Sequence, residues 1–393
     1  MPPKKDARKM SQPQKTVAKA LTSTSDAPSK GQSAHDECLP VELQQMILNV
    51  FRTAFPISTD LQALNKTIQE VKGHLFNRDF AAAFREPPSL DAYAVRWSAA
   101  RALAYAHILL QPHLEYLFLS RRNGAHDTLA DLSTTDSLTN ISAPSTDLQQ
   151  GALHSVTNKV VCIGGGAGAE IIALAAVGRG DRDPMSVLTV DSADWSNPIL
   201  RLKAALSTPP RLPAYASEAT KLRPENQALL QGADQFEVDF LHQDVLSWDR
   251  EAMRDKFSRT SLCTIMFTLN ELFSMSLPKT TTFLLIVTEI MPKGSHLLVV
   301  DSPGSYSEIQ LGKKSTSSKS ESESLKATKK YPMSWLLDHT LLDVAKIGDE
   351  PAWKKVASED SLWFRINERD RARLKYPVDL ENMRYQMHIY TRL

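Results

Sequence analysis

Residues Val160-Val161-Cys162-Ile163-Gly164-Gly165-Gly166-Ala167-Gly168-Ala169-Glu170-Ile171-Ile172-Ala173-Leu174 pass from an apolar run through dense glycine to apolar residues at helical spacing. Such a stretch folds as strand, tight turn and helix, because glycine tolerates positive φ and has no Cβ to hold a ligand away from the backbone. The turn delivers backbone amides at the positive end of a helix, which suits a nucleotide-like cofactor. Tight packing of a helix on a strand uses the same glycines, so the next strand adds weight. Met185-Ser186-Val187-Leu188-Thr189-Val190-Asp191 ends in an acid 23 positions after Gly168, near the spacing of about 20 residues at which an acid meets ribose hydroxyls. Asp191, with Ser192 and Asp194, equally suits the cap of the apolar helical stretch at 199 to 206. A third strand, Phe236-Glu237-Val238-Asp239-Phe240, is followed by Asp244, an acid placed to face the amino group of an adenine.

The rest of the chain sets the frame. Its 393 residues allow two or three domains. A net charge of +1 hides a basic tail at residues 1 to 36, where seven Lys/Arg face three Asp without apolar periodicity. Such a tail suits nucleic acid or nuclear import, and a solubilising role equally. No apolar stretch is long enough to span a bilayer or act as a secretory signal. Cys38, Cys162 and Cys263 are too scattered for a disulfide framework, and no Cys-x-x-Cys or His-Glu-x-x-His pattern marks a metal site. A reducing intracellular compartment fits, and neither membrane nor metal is expected.

A helical subdomain is expected over 37–120. Leu43, Met46, Ile47, Val50, Phe51, Ala54 and Phe55 repeat at helical spacing, as do Leu61, Leu64, Ile68, Val71 and Leu75. A third helix from Leu90 carries Arg96, Trp97 and Arg101, either as a base-stacking and phosphate-holding cluster or as a core tryptophan under arginine stems. A Ser/Thr/Asp-rich linker follows at 121–155, and the cofactor domain at 156–393. Within it, strands near 159–163, 185–191, 236–240, 262–268 and 296–300 alternate with helical stretches, the pattern of a doubly wound α/β sheet. Residues 313–330 are expected to be a mobile insertion. A helix at 333–344 and strands at 361–366 and 383–390 close the chain as an antiparallel pair.

Five parallel strands ending in an antiparallel pair resemble the seven-stranded, Rossmann-like class I S-adenosylmethionine-dependent methyltransferases. The resemblance implies that Gly164, Gly166 and Gly168 wrap the amino-acid part of the cofactor, Asp191 holds its ribose and Asp244 meets its adenine. Glu170 would reach the cofactor ammonium through water or favour the helix N-terminus. Arg96-Trp97-Ser98 with Arg101-Ala102-Leu103, the loop 164–170, Thr268-Leu269-Asn270-Glu271-Leu272-Phe273 and Asp301-Ser302-Pro303-Gly304-Ser305-Tyr306 look like the fungal family of large-subunit (25S) ribosomal RNA uridine-N(3) methyltransferases. That implies ribosomal RNA or a pre-ribosomal particle as partner, and a nuclear, nucleolar or cytoplasmic location.

The chemistry is an in-line displacement, in which the enzyme aligns the acceptor and excludes water. The exit of strand four lacks the Asn/Asp-Pro-Pro-aromatic segment of amino-group methyltransferases, and Cys263 sits inside the strand instead of at its exit, which disfavours carbon methylation. A uridine imide must lose a proton, and Glu271 is the carboxylate in that segment able to take it. Asn270 would bind a uracil carbonyl. The same pair suits the start of a helix. Asp301, with Ser302, is expected to line the same acceptor pocket, although Pro303-Gly304 also makes an ordinary turn. The remaining alternatives are a protein or small-molecule acceptor, a non-catalytic assembly scaffold and a nicotinamide dehydrogenase.

Overall fold

The structure is a computed structural model that describes residues 39–56, 61–119, 158–180, 182–232, 235–304, 306–310 and 328–393. The basic tail, the linker at 121–155 and most of the insertion at 313–330 lie outside the described residues. The described residues form one compact unit.

The chain begins with α1 (Val41–Ala54), α2 (Leu61–Phe76), α3 (Phe80–Ala83), α4 (Pro87–Tyr93), a π-helical turn at Ala94–Ser98 and α5 (Ala99–Leu109). Then come β1 (Asn158–Ile163), α6 (Ala169–Val177), β2 (Met185–Asp191), α7 (Ser196–Leu206), α8 (Glu218–Lys221), β3 (Phe236–His242), α9 (Arg250–Phe257) and β4 (Thr260–Met266). α10 (Leu269–Met275), α11 (Leu277–Ile290) and β5 (His296–Asp301) complete the alternating part. The remainder comprises β6 (Tyr306–Gln310), β7 (Thr328–Pro332), α12 (Met333–Asp338) with a π-helical extension, β8 (Lys346–Ile347), β9 (Glu350–Pro351), β10 (Trp353–Phe364), α13 (Glu368–Arg373) and β11 (Met383–Arg392).

Seven strands form one sheet in the order β10-β11-β5-β4-β1-β2-β3. β1 to β5 are parallel, and β11 runs antiparallel to both β5 and β10. This is the seven-stranded class I architecture, with its antiparallel C-terminal pair. Side chains alternate along each strand between two cores. Val160 and Cys162 of β1 and Leu298 and Val300 of β5 face the core shared with α1, α5, α6 and α7. Val161, Ile163, Leu297 and Val299 face the core of α9, α10, α11 and α12. Burial on both faces explains why the parallel strands read as continuous apolar runs.

The N-terminal helices are packed onto this sheet rather than standing apart. α5 lies against α6 and α1 against α7, and alanines at 99, 102, 104 and 106 permit the close approach. α6 is buried along its whole length, as expected of a helix covered on both sides.

Two boundaries differ from the sequence pattern. β4 ends at Met266 instead of running to 268, because Phe267 takes φ 56° and turns the chain out of the sheet. β10 starts at Trp353, well before 361, because its exposed polar residues still pair with β11 along its length.

Candidate functional site

A cavity of about 1140 Å³ opens over the carboxyl ends of all five parallel strands. It is lined by Ile163 to Gly165 after β1, Val190 to Ser192 at β2, Gln243 to Val245 after β3, Met266 to Thr268 after β4 and Asp301 to Gly304 after β5. Open α/β sheets bind ligands there, where strand order reverses, in this sheet between β1 and β4. The volume exceeds the range of roughly 300–1,000 Å³ for single small-molecule sites, so a cofactor and a second reactant both fit.

The glycine loop is held from several sides. Gly164 and Gly168 have φ of 76° and 80°, and Gly168 is the left-handed N-cap of α6. Gly164, Gly165 and Gly168 line the cavity; Gly166 does not. The Gly166 amide donates to Asp191 Oδ2 at 3.1 Å, and a Cβ on Gly166 would fall 2.1 Å from Trp195 Cδ1.

Asp191 also accepts from the Ala193 amide at 3.0 Å. It does not cap α7: Asp194 accepts from the Ser196 amide at 3.1 Å instead. Asp191 therefore braces the glycine loop and faces the cavity, and burial raises its pKa against the amides that lower it. Asp244 caps the short 3-10 turn after β3 by accepting from the Leu246 amide at 2.9 Å, and it lines the cavity as well. Glu170 lies in the first turn of α6, 3% exposed, and its Oε1 accepts from Thr264 Oγ1 at 2.5 Å. Burial, helped by Asp191, pushes its pKa up to about 8.

On the β4 side, Asp301 binds the Asn270 amide at 3.1 Å through Oδ2 and the Ser302 amide at 2.7 Å through Oδ1. The N-cap position of α10 is Thr268, whose side chain makes no cap bond. A carboxylate from the neighbouring strand thus braces the helix start that carries Asn270 and Glu271. Glu271 lines the cavity with its side chain 30% exposed, 3.9 Å from Arg78 Nη1. Burial raises its pKa, and Arg78 only partly offsets this.

Of the three residues of the α4–α5 cluster, Arg101 alone lines the cavity, while Arg96 and Trp97 stay together, the guanidinium carbon 5.9 Å from the indole centroid. Arg101 lines the cavity, hydrogen-bonded to the Tyr93 hydroxyl, with its guanidinium 4.7 Å from the Phe267 ring centroid. Arg96 turns away, bonding the Asp379 carbonyl at 2.8 Å and the Glu381 carboxylate. Trp97 packs 5.2 Å from Tyr93 and is absent from the lining. The π-helical turn at 94–98 explains the split: its five-residue winding brings Ser98, instead of Trp97, onto the cavity face with Tyr93. Ser98 Oγ is buried without a hydrogen-bond partner among the described residues.

Sequence reasoning missed Arg78, Tyr93, Tyr105, Trp195 and Gln243, all of which line the cavity. Tyr93, Trp97 and Arg101 stand at successive four-residue intervals, a signal that could have found Tyr93. Arg78 sits in an interhelical turn at φ 56° and left no periodic trace.

The ionisable lining decides between cofactor classes. Asp191, Asp244, Glu271 and Asp301 face only Arg78 and Arg101 in the lining, beside a Glu170 that burial keeps largely protonated near neutral pH. A doubly anionic pyrophosphate would meet repulsion there, whereas a cofactor bearing ammonium and sulfonium cations meets attraction. The unpartnered Ser98 hydroxyl adds a free polar group to the same wall. Cys162 and Cys263 are fully buried with raised pKa values and stand as inert core thiols. Among the described residues no cluster could hold a metal ion, and no helix is long and apolar enough to cross a membrane.

The sequence model of a family described as "Putative SAM-dependent methyltransferase" matches residues 51–391. The 25S rRNA (uridine(2843)-N(3))-methyltransferase of Saccharomyces cerevisiae is 28% identical over 376 residues, covering 88% of this chain and 85% of that protein. Among solved structures, a SAM-dependent methyltransferase of Methanosarcina mazei is 13% identical, covers 63% of this chain and 99% of its own, and has a TM-score of 0.33. The antibiotic-resistance methyltransferase Kmr is also 13% identical, with coverages of 61% and 90% and a TM-score of 0.31.

Proposed function

The chain belongs to the SAM-dependent methyltransferase family whose sequence model spans most of its length, and from that premise we propose that it methylates N3 of a uridine in large-subunit ribosomal RNA. The yeast relative acts, by its name, on that atom of 25S rRNA. The observation that carries the reading is Glu271: a carboxylate of raised basicity on the cavity wall at the exit of β4, on a helix start braced by Asp301.

S-adenosylmethionine, when bound, supplies an electrophilic methyl carbon on its sulfonium. The protein's own residues do the rest. Asp191 would accept hydrogen bonds from the cofactor ribose and Asp244 from its adenine amino group, and the loop at 164–168 would receive the amino-acid part, with Glu170 on the ammonium side. Glu271 takes the N3 proton of the uracil as the methyl arrives, and a carboxylate made more basic by burial is the better base for it. Asn270 positions a uracil carbonyl. Arg101, fixed by Tyr93 and Phe267, places a cation where negative charge grows on the uracil oxygens.

Arg96 holds the C-terminal loop in this scheme, Trp97 packs against Tyr93, and Asp301 acts by positioning the helix start. A large-subunit RNA substrate places the protein in the nucleus, nucleolus or cytoplasm, on free RNA or a pre-ribosomal particle, and gives the basic tail a phosphate-binding role. The test is Glu271→Gln: cofactor affinity stays within about twofold while kcat falls by about 10²- to 10⁴-fold, the usual contribution of general-base catalysis. Normal turnover in that variant removes Glu271 from the chemistry.

A further inference from the structure

We infer that the exposed cluster of Trp363, Arg365 and Arg384, on the hairpin of β10 and β11, is a second contact for the substrate, stacking a base of single-stranded RNA beside the methylated nucleotide. The inference rests on the RNA reading above and adds a surface to it.

Trp363 is 51% exposed at the end of an edge strand, although the next residue, Phe364, is buried in the core. The guanidinium carbons of Arg365 and Arg384 lie 5.0 and 5.9 Å from its ring centroid. Arg384 stands directly across the ladder from Trp363. Its Nε donates to Ser361 Oγ at 3.1 Å, so the guanidinium is already ordered. A register shift between Glu359 and Leu362 leaves Ser361 outside the regular pairing and able to take that bond.

An indole with half its surface open and two planar cations around it matches what a nucleotide offers. Every base has a π-face for the ring, and every phosphate can pair with a guanidinium fork.

The topology places the cluster where substrate must pass. Gln386 of β11 is paired with Asp301 of β5, the cavity residue that braces α10, and its Nε2 donates to the Ser302 carbonyl at 2.7 Å. Arg384 lies two residues farther toward the open end of the sheet, about 7 Å along the strand. Trp363 therefore stands at the same end of the sheet as the cavity, across one strand from its wall, and an RNA strand leaving the cavity in that direction meets it.

The test is binding of an unstructured, fluorescently labelled RNA of mixed sequence to the full chain with S-adenosylhomocysteine present. Trp363→Ala is expected to weaken RNA binding by about 5-fold or more, the range for loss of one base–aromatic stack, with S-adenosylhomocysteine affinity unchanged. Trp363→Phe should restore most of the loss. Arg384→Gln, which leaves the ring in place, should reduce the slope of log affinity against log salt by about one. If both Trp363→Ala and Arg384→Gln bind RNA as the wild type does, the second contact is refuted while the RNA reading stands. If the wild-type protein binds S-adenosylhomocysteine but no RNA, the RNA reading itself fails and takes this surface with it.

Discussion

Glu170→Gln isolates the one buried carboxyl whose ionisation the fold opposes most clearly. The side chain is 3% exposed, touches Thr264 Oγ1 and sits near a second acid, so its pKa rises from 4.5 to about 8. Glutamine keeps the shape and can accept the same hydrogen bond, but it does not ionise. The folded state holds the proton more tightly than the unfolded chain. The stability from Glu170 is therefore fully present below pH 4.5 and is lost as pH rises through about 8. Between pH 5 and pH 7 the loss amounts to about 2–3 kcal/mol, from one proton titrating near 4.5 when unfolded and near 8 when folded. Denaturant unfolding of both proteins without cofactor, at pH 5, 6, 7 and 8, measures it. The variant should gain on the wild type by about that amount across the interval. Parallel stability curves would show that Glu170 is already ionised in the folded protein and would refute the reasoning.

Two further outcomes concern Asp191 and the glycine loop it holds. Asp191→Ala removes the proposed ribose acceptor and the carboxylate that holds the amides of Gly166 and Ala193; titration calorimetry should show cofactor affinity reduced by about 10- to 100-fold, and unchanged affinity would remove Asp191 from the site. Gly166→Ala places a methyl 2.1 Å from buried Trp195 and 2.7 Å from Asp191 Oδ2, so it should lower stability by about 1–3 kcal/mol through overpacking, seen as a lower Tm without ligand. A Tm equal to wild type would mean that Trp195 moves aside freely.

The parallel strands and the acids at their ends were legible because the chemistry is local there. Apolar runs mark strands covered on both faces, and the acids of the exits after β2, β3 and β5 stand at or just beyond the last apolar residue. The glycine loop was legible as a turn, yet Gly166 proved to serve packing against Trp195 and Asp191, a tertiary contact without sequence signature. The α4–α5 cluster misled because helical spacing assumes an unbroken α-helix. The π-helical turn re-phases the face, so Arg101 and Ser98 reach the cavity while Arg96 and Trp97 do not. The brace that Asp301 gives to α10 spans 31 residues and becomes visible only once β4 and β5 are side by side.

Methyl transfer to unmodified large-subunit ribosomal RNA, made by transcription in vitro, tests the central claim most directly. The purified protein is incubated with that RNA and S-adenosylmethionine labelled on its methyl group, and the RNA is then digested to nucleosides and separated. Label is expected in 3-methyluridine and reduced by about 100-fold or more by Glu271→Gln; label in any other nucleoside or in protein, or none in either the free RNA or purified pre-ribosomal particles, would contradict the claim.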